Sequence, residues 1–260
     1  MSRVLQLAVL WLLPYLGPDE TALQRPSDRE DWFDSLMDEY TTLASKWTTS
    51  NDPLWMLEFA QGKVSNRKLR FFAVACCRRS RHFNTEMDYR NIIELAEKAA
   101  DGLAILDDFR IAVEHDVPSG NDSDVQLVPS VLESDSLEAA KDAVTEAVES
   151  AAWNVAYSSG FWHSTRDNEQ ATLASLLRDI VGNPVLPLLG IDLSWLTWND
   201  GTILKLARRV YDERAFDDLP ILADALEDAG CDNAAILAHC RGPGPHVRGC
   251  WAVDLLLGKE

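Results

Sequence analysis

Two histidines and two cysteines near the end of the chain are the residues with the clearest chemical potential. They are His239, Cys240, His246 and Cys250, and Cys231 lies a few positions before them. Imidazole and thiolate groups bind Zn²⁺ in many proteins, so this segment is a candidate zinc site. The spacing lacks a compact Cys-x-x-Cys pair, and the neighbours His239 and Cys240 point in different directions on a helix. Inert packing is the competing interpretation, because cysteine is often buried without any function.

A second group of candidate residues is cationic. Between residues 61 and 82 the chain has seven Lys or Arg and no acidic residue. A helix predicted over 66–83 places four arginines on one face, where they could bind an anion or a partner. These are Arg67, Arg70, Arg78 and Arg81. Arg241 and Arg248 flank a Gly/Pro-rich turn that could also bind an anion. The structural alternatives are a face that pairs with the protein's own acids and a rigid corner.

Other reactive arrangements are less well supported by the sequence. Cys76 and Cys77 precede two arginines, which could lower a thiol pKa, but Cys76 lies on the apolar side of the predicted helix. A Cys–His pair formed between this region and the C-terminal histidines stays open, because spatial proximity is not visible in a sequence. Nucleotide-binding glycine loops, nucleophile elbows and His-Glu-x-x-His sequences do not occur. We therefore favour a non-enzymatic protein without a cofactor, and keep zinc as the alternative.

The elements that must position these residues are predicted to be helices. Apolar residues recur at steps of three and four positions through most of the chain, and no period-two run is long enough for a sheet. Ser65, Ser136 and either Asp232 or Asn233 are candidate N-caps, Pro220 is suited to a first helical turn, and Gly230 is suited to a helix end. The expected fold is an all-α, irregular multi-helix bundle.

The chain is expected to form two lobes. Residues 1–115 would form an N-terminal helical lobe that contains the basic helix, and 136–260 a C-terminal helical lobe. The polar stretch 116–135, which has two prolines and a glycine, is predicted to be a mobile acidic linker. Residues 101–150 contain thirteen acids and two bases, and we expect this acidic segment to pair with the basic helix.

Composition and charge restrict the class of protein. The 260 residues are 47% hydrophobic, which is enough for a sizeable core, and the formal net charge is −18. Such acidity argues against direct nucleic-acid binding and suits a soluble protein, a basic partner or a mimic of nucleic acid. The odd count of five cysteines follows no disulfide framework and indicates a cytoplasmic setting.

The first residues are apolar on nearly every face. A helix predicted over 3–16 is too short to span a bilayer, and we expect it to be buried or to dock on a protein partner. Its outline also fits a short secretory signal, although no clear cleavage site follows.

Several longer motifs resemble an uncharacterised family of bacterial proteins that is abundant in planctomycetes. The motifs are Asp52–Phe59, Arg67–Arg79, Asn183-Pro184, Trp195–Gly201, Tyr211–Phe216 and Arg248–Trp251, and the resemblance covers roughly residues 50–110 and 170–260. It implies no activity and no functional residue. We therefore expect a helical protein–protein interaction or regulatory module in a bacterial complex. The alternatives are a zinc- or thiol-dependent enzyme that uses the C-terminal histidines and cysteines, and an acidic inhibitor of a nucleic-acid-binding protein.

Overall fold

The computed structural model describes residues 26–79, 87–103, 136–156, 162–185 and 191–259. Within these ranges the regular structure is helical and contains no strand, which confirms the predicted all-α multi-helix fold. The expected helix 3–16, the alternative secretory signal and the linker 116–135 lie outside the described residues. None of the described helices has both the length and the apolar content needed to cross a lipid bilayer.

The helices are numbered here in chain order. They are α1 (Pro26–Thr49), α2 (Pro53–Ala60), α3 (Asn66–Cys77), α4 (Met87–Ala100), α5 (Ser136–Ala156), α6 (Trp162–Val181), α7 (Leu193–Thr197), α8 (Thr202–Glu213), α9 (Leu219–Asp228), α10 (Ala234–Arg241) and α11 (Trp251–Leu257). Short 3₁₀ turns, Trp198–Gly201 and Phe216–Asp218, precede α8 and α9. Helix α6 begins earlier than the predicted start at Asp167 or Asn168.

The chain divides into two compact units. One comprises residues 1–50 and 183–190, and its described part consists of α1 and the short stretch 183–185. The other comprises residues 51–182 and 191–260 and contains α2 to α11. This division differs from the expected lobes at 1–115 and 136–260. Helix α3, which precedes the expected linker, packs against α5 and α6, which follow it.

Helix α3 is in contact with α4, α5 and α6. Its predicted N-cap, Ser65, is confirmed, because the hydroxyl accepts the Lys68 backbone N–H. Every residue from Phe71 to Cys77 is buried, so neighbouring helices cover more than one stripe of α3. The helix ends at Cys77, before the predicted end at residue 83. Arg78 is the C-cap residue; it keeps αR backbone angles, and its N–H still donates to the carbonyl oxygen of Val74, four residues earlier.

The C-terminal helices enclose their own apolar cluster, which includes Ile203, Val210, Leu222, Leu226, Ile236 and Leu256. The predicted turns between them are confirmed. Asn233 accepts the backbone N–H groups of Ala235 and Ile236 and so caps α10. Pro220 lies in the first turn of α9, and Gly230 has φ +90° after it. Helix α11 packs on α6, α8 and α10, which brings its first residues close to the end of α6.

Candidate metal centre

An aspartate, two histidines and a cysteine converge where α6, α10 and α11 meet. Asp179 comes from the last turn of α6, His239 from α10, His246 from the following turn and Cys250 from the N-cap position of α11. Each side chain contributes one atom of a metal-binding type, and these four atoms all lie within 4.8 Å of one another. Residues separated by about sixty positions in the chain therefore form one compact group.

The contacts within this group share the same few atoms. The Oδ1 atom of Asp179 lies 2.7 Å from His246 Nδ1 and 3.2 Å from His239 Nε2. The same Nε2 atom of His239 lies 3.0 Å from Cys250 Sγ. One carboxylate oxygen and one imidazole nitrogen thus each face two partners. Such convergence on a small volume is the arrangement that ligands of a single metal ion adopt.

The outer contact of His246 fixes the orientation of its ring. Its Nε2 atom lies 3.3 Å from the carbonyl oxygen of Gly242, to which an Nε2–H group would donate. A backbone carbonyl on the outer nitrogen directs the other nitrogen, Nδ1, towards the centre, as in many metal-binding histidines. Burial alone would lower the pKa of His246, but the hydrogen bond to Asp179 and its negative charge outweigh burial and raise it. In the metal-free form a proton on Nδ1 therefore bridges His246 and Asp179.

Asp179 is anchored on both of its oxygen atoms. Its residue is 3% exposed, and Oδ2 accepts the backbone N–H of Val247 at 2.9 Å. Burial by itself would raise the pKa of Asp179, yet hydrogen bonds from His239 and His246 and their positive charges lower it. The carboxylate is therefore ionised and rigidly oriented, with Oδ1 directed at both imidazole rings.

The Cys250 thiol is neutral in these surroundings. Burial, together with the charge of Asp179, raises the pKa of Cys250 well above its usual value. The contacts also differ from those of a nucleophilic triad, in which the histidine uses one ring nitrogen for the thiol and the other for the carboxylate. Here the single Nε2 atom of His239 faces both. A positive ion at the centre would supply the charge that converts the thiol into a thiolate ligand.

Packing around Gly182 holds the end of α6 against α11. Gly182 has φ +73°, and a Cβ atom placed there would lie 3.0 Å from Cγ of Trp251. The Trp251 ring in turn contacts His239, with ring centroids 5.1 Å apart. A residue with a side chain at position 182 would displace Trp251, so the glycine is needed for the close approach that brings Asp179 to the two histidines.

The structure assigns different surroundings to the residues that were predicted as one site. His239, His246 and Cys250 meet, whereas Cys240 lies in the apolar cluster of the C-terminal helices, outside the group. Burial raises the pKa of Cys240 to about 12. Because neighbouring residues on a helix point in different directions, His239 and Cys240 cannot both reach the centre. Asp179 takes the fourth position.

Sequence reasoning missed Asp179 because the search was confined to histidine and cysteine in one segment. The position of Asp179 in the sequence does indicate a buried carboxylate. Asp179 lies beside the apolar stripe of α6, which includes Leu176, Leu177 and Ile180, and its side chain is carried to the buried side of the helix. Carboxylates are rarely buried unless they are paired or bind a metal, so an aspartate at such a position indicates a specific partner.

The predicted arginines are distributed among different surroundings. Arg67 pairs with Asp101 at 3.0 Å and with Asp254 at 2.7 Å. Arg78 and Arg248 both approach Oε2 of Glu97, with Nη2 of Arg78 at 3.3 Å and Nη1 of Arg248 at 3.5 Å. Arg241 pairs with Asp224 and Glu227 at the protein surface. Arg70 is half-buried, and Arg81 lies outside the described residues.

Some acidic partners of the basic segment lie outside residues 101–150. Asp254 binds Arg67 and Lys68, and Glu169 pairs with Arg79. Asp101 of the acidic segment pairs with Arg67, and helix α5, which begins in the same segment, packs on α3.

No family model, curated protein or solved structure matches this chain.

Proposed function

We propose that this chain is a non-enzymatic helical module in which Asp179, His239, His246 and Cys250 bind one structural Zn²⁺ ion. The observation that carries the proposal is that the four donor atoms lie within 4.8 Å of one another. In a tetrahedral zinc site, donor atoms are separated by about 3.3 to 3.7 Å. Shifts of well under 1 Å would bring the contacts at 2.7 to 3.2 Å into that range.

The number and burial of the ligands favour a structural ion. Four protein ligands complete a tetrahedral site, whereas a catalytic zinc keeps one position open for water or substrate. Asp179 and Cys250 are 3% and 1% exposed, so two of the four ligands have almost no contact with solvent. An ion held in this way would join the end of α6 to α10 and α11, and its binding free energy would add directly to folding stability.

The zinc- or thiol-dependent enzyme is less well supported by the same contacts. A thiol enzyme requires a thiolate, but the pKa of Cys250 is raised well above its usual value by burial. A zinc enzyme would require one of the four ligands to leave the ion. Asp179 is poorly suited to leave, because the Val247 backbone N–H holds its other oxygen atom, Oδ2.

A non-enzymatic module acts through a partner, and we retain a protein partner as part of the proposal. The docking surface proposed at residues 3–16 is tested by deleting them and comparing co-purified proteins from the native host. Unchanged recovery of every partner would contradict that assignment. A cytoplasmic location is supported by the cysteines, since all five are free thiols and all five are buried.

Metal content and matched variants test the zinc assignment. Protein purified without chelator from zinc-supplemented cells is expected to contain one zinc ion per chain by elemental analysis. Cys250→Ser and Asp179→Asn remove a ligand and should lose most of the metal. Cys240→Ser is the matched control, because Cys240 is also a buried cysteine of the same region but lies outside the group.

Cobalt provides an independent readout of the ligands. Co²⁺ in a tetrahedral site with one thiolate gives visible d–d bands and a near-ultraviolet thiolate charge-transfer band. Cys250→Ser should abolish the charge-transfer band, while Cys240→Ser should leave it unchanged. Zinc content far below one per chain, or full retention of zinc by both ligand variants, would refute the proposal.

A further inference from the structure

The peptide unit between Gly249 and Cys250 is held from both sides. Its carbonyl oxygen accepts a hydrogen bond from Nζ of Lys68 at 2.7 Å, and its N–H group donates to the carbonyl oxygen of Val247 at 3.0 Å. A peptide unit is planar, so these two contacts fix the orientation of the plane that carries the Cα atom of Cys250. Lys68 belongs to α3, a helix that carries none of the four proposed ligands.

The same ammonium group also holds the first turn of α11. Nζ of Lys68 forms an ion pair with Oδ2 of Asp254, and the Lys68 side chain is 11% exposed. The backbone N–H of Asp254 in turn donates to the carbonyl oxygen of Cys250 at 2.9 Å. Lys68 therefore contacts the residue directly before Cys250 and the residue that binds the carbonyl group of Cys250.

The backbone before Cys250 lies directly on α3. Gly249 has φ +90°, and a Cβ atom placed there would lie 3.0 Å from Cβ of Phe71. The Phe71 ring is itself held by the guanidinium group of Arg67, which lies over it at 4.6 Å from the ring centroid. Lys68 and Phe71 thus support this segment with a hydrogen bond and with close packing.

We propose that Lys68 is a positioning residue for the zinc site and orients Cys250, the single sulfur ligand of the four. This inference rests on the proposed function, because it requires that Cys250 binds the ion. Asp179 and His246 are each oriented by a backbone group outside the centre. Lys68 provides the corresponding outer contact for Cys250, through the carbonyl oxygen of Gly249. Outer contacts of this kind typically contribute a factor of about 10 to 100 to metal affinity.

Matched lysine variants of the full-length protein test this role. Lys68→Met removes the ammonium group, while Asp254 keeps its ion pair with Arg67 at 2.7 Å, so this variant is expected to fold. Lys259→Met is the control. Lys259 also pairs with an aspartate whose side chain is 1% exposed, Asp101 at 3.3 Å, but it is directed at that carboxylate rather than at the backbone beside a proposed ligand. Zinc affinity is measured by competition with a chromophoric chelator, and circular dichroism confirms that each variant is folded.

Lys68→Met is expected to bind zinc about tenfold more weakly than the wild type. With saturating Co²⁺, its thiolate charge-transfer band should be shifted, because the sulfur is presented to the ion at a different angle. A loss of global stability alone would not shift the band of metal-loaded protein. Lys259→Met should keep the zinc affinity and the band of the wild type.

If Lys68→Met fails to fold, the double variant with Asp254→Asn removes the ion pair as a whole and is measured in the same way. Wild-type zinc affinity or an unshifted band in the Lys68 variant would overturn the role of Lys68 and leave the zinc site standing. An equal change in Lys259→Met would also overturn it. Absence of zinc binding by the wild type would instead overturn the metal site, and the role of Lys68 with it.

Discussion

Replacement of Asp254 by asparagine should destabilise the second unit strongly. The Asp254 side chain is 1% exposed and accepts from Arg67 Nη1 at 2.7 Å and from Lys68 Nζ. Asparagine keeps the shape but removes the negative charge. Arg67 retains Asp101, while Lys68 retains only the carbonyl oxygen of Gly249 at 2.7 Å among its described contacts. One largely buried ammonium group therefore loses its counter-charge.

The size of the effect follows from that loss. Removing one partner of a buried ion pair costs about 3 to 5 kcal/mol, and the lower end applies because Arg67 keeps one carboxylate. About 3 kcal/mol corresponds to a fall in Tm of about 6 to 12 °C for a unit of this size. Lys68→Met in the Asp254→Asn background should recover part of the loss, since it removes the cation that was left without a carboxylate.

Urea unfolding followed by tryptophan fluorescence and far-ultraviolet circular dichroism measures this change, with chelator present throughout so that zinc does not contribute. Asp224→Asn is the control, because Asp224 pairs with Arg241 but its side chain is 71% exposed. Its midpoint should equal that of the wild type. A loss below about 1 kcal/mol for Asp254→Asn with an unchanged m-value, or an equal loss in the control, would refute the reasoning.

Three further predictions follow from the described contacts. Gly249→Ala should lower the free energy of unfolding in urea by about 2 to 4 kcal/mol, because Gly249 has φ +90° and a Cβ atom there would lie 3.0 Å from Phe71 Cβ. Gly230 has the same φ, but a Cβ atom there would have no neighbour within 4 Å. Gly230→Ala should therefore lower the free energy of unfolding by only about 1 kcal/mol. Burial alone would raise the pKa of Asp101, but hydrogen bonds from Tyr211 and Arg67 outweigh burial and lower it. The ionised carboxylate therefore stabilises the fold above the unfolded-state pKa, and this contribution is lost as pH falls below about 4. Asp101→Asn should show a smaller loss of stability on acidification than the wild type. Because all five cysteines are buried, a thiol reagent should label none of them within minutes in native protein and all five in denaturant, and fast native labelling would contradict their burial.

The helices and their ends were largely predictable, because local chemistry determines them. Ser65 and Asn233 cap α3 and α10 with their own side chains; Ser65 was predicted from residue type and position, and Asn233 was one of two candidates, with Asp232. The end of α3 was not predictable. The helical pattern continues beyond Cys77 in the sequence, and nothing in residue type alone distinguishes the turn at Arg78 from a further helical turn.

Part of the metal centre was predictable for a different reason. His239, His246 and Cys250 lie within one short segment, so their proximity follows from the chain itself. Asp179 is distant in sequence, and only the packing of α6 against α11 brings it to them. The choice between Cys240 and Cys250 also depended on packing, because the orientation of α10 decides which of two neighbouring side chains faces the apolar cluster.

The polar side chains of the segment 246–254 contact three different helices. His246 reaches Asp179 on α6, Arg248 reaches Glu97 on α4, and Asp254 reaches α3. Cys250 and Asp254 are four residues apart, so α11 carries a proposed metal ligand at its start and the centre of an ion-pair network one turn later. The short helix α11 also buries Ala252, Val253 and Leu256 in the apolar cluster of the C-terminal helices. Its position is therefore fixed both by apolar packing and by charged and polar contacts to three other helices.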